Sequence, residues 1–429
     1  MIKVEQIKEL LARNSEVSAY EINQTVNEGR QLYYVSDKLE TSRAVKTESI
    51  TVTVYHDFEQ FRGSSNFNVT ANDTEESIIA KIASTVEKAA QVKNPYYPLA
   101  ENVENVDLPK QLEEPIIESL KKAADSIFSV NNYPNTDLNA TEIFGDINHE
   151  RFVNSNGVDH KYDEVSLFVE TIPSYNTKFD EYELYYNEND GTLNPDTLAG
   201  NIDEALKNVR YRAEAKRISE VEIPEDVEIH IKGEMLGMIM NSFAQDLSYR
   251  NQYLQGNHFS VGDEISPKPF SLILKGELEG ALASSPVDEH GLKLGETRIV
   301  DHGKAAALWG DIRFGTYMKQ ENITGSYPVL VLDEYEPASE EEMKKPHITI
   351  MNFSSPQLEG ASGYFGGEVR LALYENNGEI IPLTGFSIAG NIYETIKTAS
   401  FSRERDFVNS RRGSFEGPKY MVLKGMSIQ

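Results

Sequence analysis

The sequence predicts an α+β protein of two domains: a helix-plus-antiparallel-sheet domain over residues 1–217, then a mainly β domain with a few helices over residues 218–429. Three observations carry this. A chain of 429 residues exceeds the size at which one hydrophobic core usually stops growing. The opening reads as a helix, then strands with period-two alternation, then a second helix. A polar stretch, Arg217 to Asp226 with Pro224 inside it, separates this half from one built of short runs rich in Gly, Tyr and β-branched residues.

Met1 to Asn14 reads as an amphipathic helix. Val17 to Val26 and Arg30 to Asp37 alternate around Asn27-Glu28-Gly29, which suggests two strands and a turn, and Ser49 to Phe58 with Phe61 to Val69 suggest two more. Asn72-Asp73-Thr74 offers capping side chains with Glu76 three residues after Asp73, and Ile78, Ile79, Ile82 and Val86 recur on one face of a helix through Val92. The proline-rich segment Pro95 to Pro115 reads as an extended excursion before a third helix, Ile116 to Val130. Thr141 to His149 and Val165 to Ile172 suggest strands on either side of a turn at Asn154-Ser155-Asn156-Gly157, with Tyr182 to Tyr186 following. Asn194-Pro195 is a helix-start signal for a helix to about Lys216, since Asn caps and Pro suits the first helical position. In the second half, a strand at Val227 to Ile231 leads into a Met-rich helix, Gly233 to Leu247. Met235, Met238 and Met240 on that helix read as core, as does Trp309.

Composition excludes several functions. Cysteine is absent, which removes disulfides, thiolate metal ligands and a cysteine nucleophile. No apolar run reaches the roughly 18 residues a spanning helix needs, and the N-terminus lacks the pattern of an export signal, so the expectation is a soluble, cytoplasmic protein without membrane contact. A formal charge of −28 would repel phosphate backbones, so no nucleic-acid partner is expected. Arg403, Arg405, Arg411 and Arg412 form a local basic cluster, which more commonly pairs with neighbouring acids.

Catalytic motifs are equally sparse. The eight histidines include no pair at helical spacing, so the side chains that usually converge on a hydrolytic zinc have no local arrangement here. The one dense polar group is Asp288-Glu289-His290, with Asp301-His302 after a probable strand containing Arg298, Ile299 and Val300. Two Asp/His pairs bracketing a strand suit a divalent cation, but acid-rich turns before Gly291 and Gly303 are also ordinary loop chemistry. Gly360-Ala361-Ser362-Gly363-Tyr364 misses the last glycine of a nucleophile elbow, and no phosphate or dinucleotide loop is present, so no cofactor is called for.

Three stretches carry a family resemblance: Val153 to Gly157, Val287 to Gly291, and Pro382-Leu383-Thr384-Gly385-Phe386-Ser387-Ile388-Ala389-Gly390-Asn391. A fourth, Ser362 to Gly366 with Val369 and Glu375 to Glu379, looks like a divergent copy of a Thr-Gly-Asp-Phe-Ser element. With these the chain resembles the TldD/PmbA family, often labelled modulators of DNA gyrase. The resemblance implies a metallopeptidase fold whose catalytic branch takes zinc from His-Glu-x-x-x-His on the first helix of the C-terminal domain and from a cysteine near the C-terminus. Here the matching helix offers Met238, Ile239, Met240, Asn241, Ser242 and Phe243, and the C-terminal match Arg411-Arg412-Gly413-Ser414-Phe415 has no thiol. That pattern is similar to the PmbA (TldE-like) branch. It implies a subunit without its own zinc, paired with a TldD-like catalytic homologue or with itself, in an assembly that cuts unfolded peptides bound as an added strand. Two other readings stay open. One is a stand-alone hydrolase built on Asp288, Glu289, His290, Asp301 and His302, and the other is a peptide-binding scaffold.

Overall fold

The computed structural model describes residues 2–101, 104–193, 196–410 and 413–429, and its fold is α+β. Helix α1 spans Val4–Ala12, inside the expected range, and α2 spans Glu75–Ala89. The cap of α2 is Thr74, whose hydroxyl accepts from the Ser77 amide, while Asp73 instead bonds the Ser77 hydroxyl and the Lys81 ammonium. The helix stops at Ala89, short of Val92, and Ile79 points outward at 50% exposure, so the apolar stripe is Ile78, Ile82 and Val86.

The first sheet is antiparallel in its centre. Strands β1 (Ala19–Val35), β2 (Lys38–Phe58), β3 (Phe61–Val69), β4 (Asn94–Pro95), β5 (Asp107–Leu108), β6 (Thr136–Asn154), β7 (Asp159–Asn176), β8 (Glu181–Glu183) and β9 (Tyr186–Asp190) form it, in the order β4-β3-β2-β1-β6-β7-β5 with β8 and β9 beside β7. Asn27-Glu28-Gly29 is not a turn: β1 runs through it, and the chain reverses at Ser36-Asp37, where Ser36 takes φ +52°. Gly29 serves packing instead, since a Cβ there would lie 2.0 Å from Asp146 Oδ1. Strand β2 starts at Lys38 rather than Ser49 because its first half is polar and exposed on both faces. Alternation, the usual strand signal, needs one buried face and is lost there. The hairpin β6–β7 does turn at Asn154 to Gly157, with Gly157 at φ +90° and the Asn154 carboxamide oxygen accepting the amides of Asn156 and Val158. Both of its strands run longer than expected, and the stretch read as one strand at Tyr182 to Tyr186 is divided between β8 and β9.

Helices α3 (Ile116–Ser129) and α4 (Leu198–Glu214) complete this half; the helix-start signal at Asn194-Pro195 lies outside the described residues. Ile22 packs with α1 and α2, and Leu32 packs with α3 and α4. Both are even-numbered positions of β1, so the two helix pairs sit side by side on one face of the sheet. Each fully buried aliphatic side chain contributes roughly 1.5–3 kcal/mol to that docking. The other face carries Thr25, Asn27, Asp146, Glu150 and Glu164; burial and then the charge of Glu150 push Glu164 up to about 7.

The docking of α2 depends on Gly63 in β3. A Cβ there would lie 1.9 Å from the Ala89 carbonyl oxygen and 2.6 Å from that of Val92, both backbone atoms at the end of the helix. Gly63→Ala is expected to cost about 3 kcal/mol by overpacking. Gly200→Ala, in α4 with nothing within 4 Å, is expected to be neutral or slightly stabilising. Urea midpoints of the two variants check this.

The second half holds two sheets with one helix between them. Glu228–Lys232 is a central strand of the ten-stranded sheet and leads directly into α5 (Gly233–Asp246). The six-stranded sheet includes Ser271–Lys275, Val329–Asp333, Gly413–Pro418 and Arg405–Ser410. Leu236, Ile239, Met240, Phe243 and Ala244 of α5 join residues of both sheets in one core. Trp309 packs there as expected and donates its indole N–H to the Ala244 carbonyl.

Candidate functional site

The acid-histidine motifs come apart in the structure. Asp288 is buried and closes its own turn, accepting the amides of His290, Leu292 and Ser326; burial raises its pKa, and those N–H groups oppose the rise. His290 leaves the turn toward the first sheet, where its Nδ1 is 3.3 Å from Glu21 Oε2. The same oxygen accepts the Tyr55 hydroxyl at 2.7 Å. Burial works against a charged imidazole, but the hydrogen bond and charge of Glu21, with Asp288 and Glu289 behind them, prevail and push His290 up to about 9. Next to it, Gly291 sits where a Cβ would meet the Phe152 ring at 2.3 Å, and its carbonyl is 3.0 Å from His160 Nε2. Val287 to Gly291 is therefore a latch between the two halves of the chain.

Asp301 and His302 meet Glu334 instead, with one ligand atom of each lying within 4.8 Å of the others. It is the sole such grouping among the described residues, it is exposed, and it does not include Asp288, Glu289 or His290. Arg298 already donates to both Asp301 and Glu334, and its guanidinium holds the Glu334 carboxyl below the usual range. A joint divalent site across the strand, the alternative the sequence left open, is not assembled.

Folding does bring one distant histidine pair together. His230 and His347 stack with ring centroids 3.9 Å apart and planes 13° apart, and burial, then the charge of His347, pushes His230 down to about 3. Ring lone pairs lie in the ring plane, so parallel stacked imidazoles cannot converge on a single ion. Of the basic cluster, Arg405 pairs with Asp333 and Glu416, while Arg411 and Arg412 lie outside the described residues.

The outer face of α5 opens on a cleft of about 300 Å³. A helical period of 3.6 puts Ile239, Met240 and Phe243 in the core and Glu234, Gly237, Met238, Asn241, Ser242 and Gln245 on the cleft. Met238 is thus a cleft residue, contrary to its reading as core. The opposite wall comes from Leu358, Val408 and the segment Gly413 to Phe415. Gly237 keeps the walls close, since its Cβ position is 3.1 Å from Phe415 Cβ. Zinc takes thiolate, imidazole or carboxylate ligands, usually four in a structural site and three plus water in a catalytic one. Glu234 is the one such group on this wall, so the residues present do not fit a hydrolytic zinc. The wall instead offers carboxamides that can donate and accept hydrogen bonds, beside a thioether and aliphatic side chains.

Residues 224–429 match the family model of the PmbA/TldA metallopeptidase C-terminal domain. No curated protein matches the sequence. Among solved structures, TldE from Thermococcus kodakarensis superposes with a TM-score of 0.80 at 13% identity, covering 99% of each chain. A candidate modulator of DNA gyrase from Bacteroides thetaiotaomicron gives 0.78 at 13% identity over 100% of both chains. A candidate modulator of a DNA gyrase from Thermotoga maritima gives 0.74 at 16% identity, over 99% of this chain and 100% of that one. At these identities the likeness is one of fold. Among the described residues, no helix is long and apolar enough to cross a membrane.

Proposed function

We propose that this chain, whose residues 224–429 belong to the PmbA/TldA metallopeptidase C-terminal domain family, is a non-catalytic, TldE-like subunit that supplies a peptide-binding wall to a peptidase assembly. The observation that carries the proposal is the cleft face of α5, where Gly237, Met238, Asn241, Ser242 and Gln245 stand in place of any imidazole. A TldE fold over 99% of the chain supports it. In this reading residues 1–217 and 218–429 are the two domains, and Val287 to Gly291 joins them.

Metal and peptide binding test the proposal directly. The protein, purified without a histidine tag and dialysed against micromolar zinc, is expected to keep no stoichiometric zinc by elemental analysis. It is also expected to bind an extended, unfolded peptide, and Met238→Lys is expected to weaken that binding roughly tenfold by placing a charge among aliphatic contacts. One zinc per chain that is lost in Glu234→Gln would refute the reading. The scaffold alternative shares the cleft and differs in needing no catalytic partner, which a turnover assay with a partner present decides.

A further inference from the structure

Two blocks of the ten-stranded sheet meet at one short seam. The strand Glu228–Lys232 pairs in parallel with His347–Phe353 through three residue pairs, Glu228 with His347, Ile229 with Ile348 and His230 with Thr349. On one side of the seam lies Tyr420–Leu423, and on the other Tyr364–Asn376 and the strands beyond it. Parallel pairing is slightly less stable per residue than antiparallel, so so short a ladder is a weak point of the sheet. The stacked imidazoles of His230 and His347 sit on it, one on each strand and both buried.

The pair has room for one charge. His347 Nδ1 donates to the Lys345 carbonyl oxygen at 2.7 Å, and its Nε2 is 3.8 Å from Glu375 Oε1, so a proton there has a counter-charge. His230 Nε2 is buried without a hydrogen-bond partner, so an N–H at that atom would have no acceptor. With ring centroids 3.9 Å apart and little water between, a second cation would also be repelled by the first. The other charges around the pair are committed. Glu228, on the same strand, has a partnerless Oε2, but Lys424 at 3.4 Å and Lys345 at 3.9 Å already neutralise its carboxylate. Lys232 is paired with Glu204 of α4, and Lys419 with Glu404. Tyr420, its ring 6.1 Å from that of His230, is a phenol that burial keeps neutral.

We propose that this seam is an acid-operated joint: the closed pair carries at most one proton, and a second opens the three-residue ladder and frees the start of α5, which follows Lys232 without a break. The closed seam holds His230 neutral. Burial, then the charge of His347, puts its pKa at about 3, against about 6.5 for an exposed histidine. The stability that closure gives is therefore complete above about pH 6.5 and is lost by about tenfold per pH unit below it, down toward pH 3. His290 works in the opposite sense, because Glu21 holds it charged, so direction tells the two apart. Nothing in the joint depends on what the α5 cleft binds.

Amide hydrogen exchange of the full-length protein at pH 7.5 and 5.0, corrected for intrinsic rates, tests the proposal. Protection of residues 228–238 and 347–350 is expected to fall at least about tenfold at the lower pH, while β1 and β6 keep theirs. His230→Phe retains a flat ring in the stack and removes the site of the second proton, so it is expected to abolish that fall. Urea unfolding gives an independent reading: from pH 7 to 5 the folding constant of wild type is expected to drop roughly 25-fold relative to that of His230→Phe. Equal wild-type protection at the two pH values overturns the inference, and this measurement decides even if the variant does not fold. A fall in protection that persists in His230→Phe overturns it too, as does a urea midpoint with the same pH dependence in both proteins.

Discussion

Mixed with a homologue that carries His-Glu-x-x-x-His on the matching helix, this chain is expected to raise cleavage of an unfolded peptide by about 100-fold or more over the chain alone. The size follows from what the cleft lacks. A bound zinc brings the pKa of its water from 15.7 to roughly 7, and a positioned general base adds a further factor of about 10²–10⁴; the α5 face offers no imidazole for the metal, and its one carboxylate, Glu234, has no metal-activated water to act on. A fluorogenic unfolded peptide, followed with each chain alone and with the pair, makes the measurement. Turnover by this chain alone at the rate of the mixture would sink the subunit reading. If that turnover survives replacement of both His290 and His302 by Ala, the stand-alone hydrolase built on those motifs falls with it.

Loss of Glu21 is expected to have the largest effect on stability of any single polar change. Its carboxylate is buried, accepts the Tyr55 hydroxyl and faces His290, so Glu21→Ala strands two groups at the junction of the halves. Removing one partner of a buried pair costs about 3–5 kcal/mol; His290 can shed its proton and is 28% exposed, which lowers the expectation to about 2–4 kcal/mol. The pH dependence carries a definite sign. His290 in the folded protein titrates at about 9, above the roughly 6.5 of an unperturbed histidine, so the native state holds the proton more tightly. The stability it contributes is complete below about pH 6.5 and is lost as pH rises through 9. Thermal or urea unfolding between pH 6 and 10 is expected to show wild type losing about 1–3 kcal/mol that Glu21→Gln never had. Parallel curves for the two proteins would show that the latch contributes no such linkage.

Local patterns in the sequence were sufficient wherever one face of an element is buried. The stripe Ile78, Ile82, Val86 placed α2, Asn154 and Gly157 placed the β6–β7 turn, and residues 233–247 carry neither histidine nor cysteine, which is legible from the sequence alone. They failed where that asymmetry is absent. The first half of β2 is wet on both faces and carries no strand signal, and Gly29 looked like part of a turn because the Asp146 side chain it makes room for comes from 117 positions away.

What the chain determined by itself is chemical: which ligands, nucleophiles and apolar stripes exist at all, since these are properties of residue type and spacing. What only the tertiary structure decided is which of them meet. His290 found Glu21 across 269 positions rather than the Asp301–His302 pair 11 positions on, and Met238 turned to a cleft while Met240 went to the core. The reason is physical: a charge pair or a cleft wall is made by groups that converge in space, and nothing in the local free energy of either segment depends on its distant partner until the sheets and helices have packed.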